Sequence, residues 1–163
     1  MTMTRRDGLR MIGAATAAAA IGVPLKASAE GTVHEVLMLN KHPDNRDPMV
    51  FHPAVVRAMP GDTIRFVPED RGHSVQSEEE MLPEGAEGWA SKINEEFDVV
   101  VETEGAYGYI CKPHYTTGMV GLLLVGNVDN LEAIKEARHR GRAAKRFEAY
   151  FAEAEEILSN ETS

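Results

Sequence analysis

Apolar and polar residues alternate in short runs through the middle of the chain and recur at helical spacing near its end. VHEVLMLN (33–40) predicts a strand. The stretch AVVRAMPGDTIRFVPED holds two strand-like runs, Val55–Met59 and Thr63–Val67. Pro60-Gly61-Asp62 separates them with the fixed φ, the backbone freedom and the side-chain acceptor that a turn uses. HSVQS (73–77) predicts another short strand, and FDVVVET (97–103) and AYGYIC (106–111) two more, joined across Glu104-Gly105. MVGLLLVGN (119–127) is continuously apolar and predicts a strand buried on both faces. Residues 78–95 carry Pro and Gly without a period of two, so they predict a long excursion with room for one helical turn. Short strands punctuated in this way indicate a mainly β sandwich.

From Asp129 the period changes. Asp129 or Asn130 offers a helix cap, and Leu131, Ile134 and Ala137 follow at helical spacing, with Gly141 expected as the C-cap. A second helix is predicted from Ala143, Ala144, Phe147, Tyr150, Phe151, Ala154, Ile157 and Leu158, which fall on one stripe with charges opposite. The polar face mixes both signs, which favours packing against the sandwich over lying on a membrane.

The start of the chain reads as an address. Arg5, Arg6 and Arg10 precede the alanine-rich run MIGAATAAAAIGVPL, and KASA supplies a small-x-small cleavage pattern ending at Ala29. The run is too short and too poor in large aliphatic residues to span a bilayer. The paired arginines resemble a twin-arginine signal, but Gly8 replaces the usual bulky apolar residue, so both export routes stay open. The expected organisation is a signal peptide over 1–29 and one periplasmic domain over 30–163, with the sandwich over 30–128 and a helical extension over 129–163. Cleavage would remove four of the 17 basic and one of the 26 acidic residues, leaving 13 against 25 and a formal charge of −12. Such a domain does not suit nucleic acid or an anionic membrane. It suits a basic partner protein or simply solubility, and both readings stay open.

Cysteine usage narrows the chemistry. Exported proteins usually pair their thiols, yet Cys111 is the only cysteine in 163 residues. It is buried and inert, bridged to another chain, or a metal ligand. Its neighbours favour the last: Cys111, His114 and Met119 crowd into YICKPHYTTGM (109–119). Zinc has little use for a thioether, whereas thiolate, imidazole and thioether together suit copper cycling between Cu(I) and Cu(II). A His2Cys site needs a second imidazole, and His73, after Gly72 and ahead of a predicted strand, is the best placed. His34, His42, His52 and His139 read as surface or hydrogen-bonding residues.

Together these segments resemble the cupredoxins, the small type 1 copper proteins, and within them the pseudoazurin group. VLMLNK, VFHPAVVRAMPGDTIRFVPEDRGH, MLPEGAEGWASKINE, CKPHYTTGM and the helical tail match the group's pattern in order. The resemblance implies an eight-stranded Greek-key sandwich with two C-terminal helices. It implies one copper per chain on His73, Cys111, His114 and Met119. It further implies a monomeric one-electron carrier, without a substrate site of its own, serving periplasmic partners such as nitrite reductase, nitrous oxide reductase or a c-type cytochrome in denitrification. Two departures stand out. Ser74 replaces the asparagine that usually ties the two ligand loops, and the lysine ring around the exposed histidine edge is reduced to Lys41, Arg71, Lys92 and Lys112, with negative charge added at 68–70 and 78–80.

Two other readings stay in play. A detached domain of a copper enzyme would carry a histidine beside the cysteine, where this chain has Ile110 and Lys112, and more than one copper per chain. A copper-delivery protein would expose a labile, methionine-rich site. Tuning of the expected centre falls partly to Pro113, which has no N–H to donate to the Cys111 sulfur. A Pro113→Ala variant is expected to lower the midpoint potential in a redox titration. The fall should be about 40 mV for a new N–H···S bond of about 1 kcal/mol, and an unchanged potential would count against the idea.

Overall fold

The computed structural model describes residues 31–163. The expected signal at 1–29 lies outside the described residues. Eight strands form two four-stranded sheets, as expected for the fold class. The first holds β2 (Pro48–His52), β1 (Val33–Lys41), β4 (Asp62–Val67) and β6 (Phe97–Val101) in that order. The second holds β3 (Val55–Ala58), β8 (Val120–Val125), β7 (Gly105–Ile110) and β5 (Gln76–Ser77). Two pairings are parallel, β1 with β4 and β3 with β8, and both join strands far apart in the chain.

The inner faces meet in one core. Val36, Met38, Ile64 and Phe66 come from the first sheet, and Val56, Tyr107, Tyr109, Leu123 and Val125 from the second. In β4 buried and half-buried residues alternate strictly, as a strand with one face inward requires. Tyr109 sits edge-on to Phe51 and Phe66 at ring separations of 4.9 and 5.2 Å, a geometry that adds to the area term.

The apolar run of β8 is buried on both faces, as its sequence predicted. Leu123 and Val125 point into the sandwich, while Val120, Leu122 and Leu124 meet a second core. That second core is closed by α1 (Leu131–Ile134) and α2 (Gly141–Glu161), through Leu131, Ile134, Ala143, Phe147, Phe151 and Ala154. The long stripe therefore packs on the sheet. Among the described residues no helix is long and apolar enough to cross a membrane.

The structure corrects several local expectations. β2 is an addition to the strands that the pattern predicts: Pro48 opens it and Pro53 follows it, and an edge position, paired only to β1, tolerates the missing N–H. The strand expected over 73–77 shrinks to Gln76–Ser77, so His73 sits on irregular backbone. The first helix is a single turn, and Gly141 does not cap it: with φ of 59° it opens α2 instead. Asn130 occupies the N-cap, but its side chain pairs with both the N–H and the C=O of Ala106 on β7, tying the tail to the sheet.

The turn before β4 rests on a buried carboxylate. Asp62 accepts hydrogen bonds from the N–H of Thr32, the N–H of Met59 and Nε2 of His34, each at 2.8 Å. The Met59 N–H, then His34, hold its carboxyl below the ordinary carboxylate value. A depressed carboxyl stabilises the fold above that ordinary value and loses its contribution as pH falls through the folded one. Asp62→Asn is expected to cost about 2–3 kcal/mol at neutral pH and progressively less in acid, measured by urea unfolding across that range.

Candidate metal centre

Cys111 directly follows β7, and its N–H donates to the Met119 carbonyl at 2.9 Å, just beyond the Ile110–Val120 pair of the β7–β8 ladder. The two residues thus continue the sheet by one rung. Between them, Lys112–Thr117 winds as a 3-10 turn with Pro113 in its first positions, and His114 departs from helical geometry at φ −118°, ψ 20°. Gly118 reverses the chain with φ of 92°, a conformation that favours glycine. The Met119 N–H then returns to the His114 carbonyl at 3.1 Å.

His73 arrives from the other sheet connection. Gly72, at φ of 97°, donates its N–H to Oδ1 of Asn94 at 2.6 Å, and the Asn94 N–H donates to the His73 carbonyl at 2.8 Å. One step on, the Val75 N–H donates to Oγ of Ser91 at 3.0 Å, and the Ser91 N–H to the Val75 carbonyl at 2.8 Å. Nε2 of His73 donates to Oδ1 of Asn40 at 3.1 Å, which leaves Nδ1 with its lone pair free.

Three atoms converge. His73 Nδ1 lies 3.1 Å from His114 Nδ1, and Cys111 Sγ lies 3.9 and 3.6 Å from those two nitrogens. Two imidazole nitrogens and a sulfur share one point, and a first-row ion at about 2 Å from each would fit this triangle. His73 and Cys111 are buried, while His114 is half-exposed. Met119 is fully buried in the same core cluster as Cys111. Burial pushes the Cys111 thiol up, opposed by the backbone N–H groups of Ser74 and His114. Burial, and then His114, hold His73 below the ordinary imidazole value. A thiolate here therefore calls for a cation to compensate it.

The Ser74 contribution at the sulfur comes from its backbone, which any residue type would supply. Asn40, Ser91 and Asn94, not read as site residues, make the side-chain ties around His73. Asn94 adopts φ of 62°, which asparagine tolerates better than most residues, but isolated asparagines in polar stretches are too common to single out. Lys41, Arg71, Lys92 and Lys112 are all exposed and lie one or two positions from Asn40, His73, Asn94 and Cys111 respectively. Asp70 intrudes among them, its carboxylate accepting from the Asn40 N–H at 2.6 Å. The remaining histidines stand apart: His34 on Asp62, His42 edge-on to His52, and His139 between the Tyr115 hydroxyl and Met81 Sδ.

Comparison with known proteins agrees with this geometry. Residues 37–126 match the copper binding proteins of the plastocyanin/azurin family. The chain is 47% identical over 138 residues to the pseudoazurin of Paracoccus pantotrophus, covering 84% of this chain and 94% of that one. It is 44% identical over 144 residues to that of Methylorubrum extorquens, covering 88% and 95%. The structure of a pseudoazurin from Sinorhizobium meliloti superposes with a TM-score of 0.74 at 45% identity, over 76% of this chain and 97% of that one.

The Asn40 contact can be tested separately from the three converging atoms. Asn40→Ala is expected to weaken copper binding roughly tenfold without abolishing it, measured by competition with a chelator of known affinity. Unchanged affinity would show that the His73 ring needs no such anchor.

Proposed function

Since this chain belongs to the pseudoazurins, copper-binding electron carriers of the cupredoxin family, we propose that a single type 1 copper is held by His73, Cys111, His114 and Met119. We read the mature molecule as residues 30–163, a periplasmic monomer whose partners are nitrite reductase, nitrous oxide reductase or a c-type cytochrome. Copper bound there supplies one-electron chemistry between Cu(I) and Cu(II). The chain's own residues do the rest. His73 and Cys111 keep their donor atoms out of water, and Asn40 fixes the His73 tautomer. The ladder bond from Cys111 to Met119 keeps both ends of the loop in place whichever charge the centre carries.

One observation carries the reading of a carrier rather than a store. Of the three converging side chains, only His114 reaches the surface, on an exposed collar of Lys112 and Pro113. An electron leaving by this ring crosses little protein. Lys41, Arg71, Lys92 and Lys112 give that edge local positive charge on an otherwise acidic molecule, and local field governs encounter more than net charge.

Added cupric ion is expected to give an intensely coloured protein with one copper per chain. Its oxidation by nitrite and nitrous oxide reductases should slow as ionic strength rises. Lys112→Glu should slow it about threefold to tenfold at low salt, read by stopped-flow absorbance. A rate indifferent to both changes, for every candidate partner, would overturn docking at this edge.

A further inference from the structure

Helix α2 does more than close the second core. Its Arg146 is half-buried and reaches three backbone carbonyls: Nη1 donates to Met49 at 2.6 Å and to Gly118 at 2.8 Å, and Nη2 to Pro48 at 2.8 Å. The Gly118 carbonyl belongs to the peptide unit whose N–H is that of Met119. That N–H donates to the His114 carbonyl at 3.1 Å. One peptide plane is therefore held at both polar ends, by Arg146 on one side and by the backbone of His114 on the other. Packing reinforces the clamp: a Cβ placed at Gly118 would lie 2.9 Å from Cγ of Arg142 and 3.1 Å from Cδ of Arg146.

We propose that Arg146 is a positioning residue of the copper centre, setting the orientation of the 118–119 peptide and so the reach of Met119. The inference rests on Met119 being the fourth ligand. Three features make a guanidinium fit this task. Its planar fork serves carbonyls on two separate segments, its several N–H donors lie in one fixed plane, and charge-assisted bonds are stronger than neutral ones. With copper bound, the Met119 thioether would be the weakest of the four donors. It would therefore depend most on the peptide that carries it. The same side chain also fixes the start of β2, so the helical tail, the edge strand and the metal loop are registered by one cation.

The test compares Arg146→Gln, Arg146→Lys and a matched control, Arg57→Ala. Arg57 tethers the far end of α2 to Glu161 and bonds the Ala58 and Leu124 carbonyls, well away from the loop. Arg146→Gln keeps an aliphatic stem and one amide donor, so it is gentler than truncation to alanine. In the copper-loaded protein, Arg146→Gln is expected to change the intensity ratio of the thiolate-to-copper absorption bands and to shift the midpoint potential. Arg146→Lys should fall between it and the parent. Arg57→Ala should lower thermal stability while leaving spectrum and potential alone. In the copper-free protein, amide exchange at Met119 should accelerate roughly tenfold in Arg146→Gln and stay unchanged in Arg57→Ala. An unaltered spectrum and Met119 exchange in Arg146→Gln, or equal changes in Arg57→Ala, would overturn the proposal. If the parent itself stays colourless with cupric ion, the copper reading fails, and the exchange comparison still decides the role of Arg146.

Discussion

The hydrogen bond from the Cys111 N–H to the Met119 carbonyl is the joint on which the centre depends. It turns a nine-residue loop into an extension of the β7–β8 ladder, so that a thiol and a thioether side chain inherit the rigidity of the two most deeply buried strands. It acts together with the adjacent Ile110–Val120 pair and the bond from the Met119 N–H to the His114 carbonyl, which give the half-exposed His114 between them a fixed base. The opposing histidine needs a different solution, because the backbone at 72–75 is not in a strand. Asn94 and Ser91 there substitute for a missing sheet neighbour by bonding the backbone groups that a strand would have paired.

β8 transmits order between the two cores. Its alternate residues serve the sandwich and the helical tail, so neither layer moves independently of the strand that leads out of the metal loop. Asn130 stitches the tail to β7, Arg57 ties its far end to β3 and Leu124, and Arg146 grips the loop and the start of β2. The tail thus touches both sheets through polar side chains aimed at backbone carbonyls and amides.

Much of this was legible in the sequence wherever chemistry and period coincide. The spacing of Cys111, His114 and Met119, and the candidacy of His73, depend on residue types that few other roles explain. Uninterrupted apolar character exposed β8 as two-faced, and the helical stripe through Phe147 and Phe151 announced its buried side. What escaped was carried by residues with many common uses. Asn40, Ser91 and Asn94 act through single hydrogen bonds that no local pattern marks. β2 hid behind prolines that an edge strand can accept. Asn130 holds the N-cap position that its context offers, but no local pattern marks the turn of its side chain to β7, and Gly141, whose commonest role is a C-cap, opens α2 with a positive φ.

The two parallel pairings impose an order of events on the newborn chain. Val55 must wait for Leu122, and β1 must wait for β4, so the second sheet has no centre until its final strand emerges. Loop closure over such separations is slow compared with hairpin formation. Of the four proposed copper-binding side chains, one precedes this closure by a long stretch of polypeptide and three emerge almost together with β8. An incomplete chain halted before residue 111 would lack both the thiol and the strand that shields it.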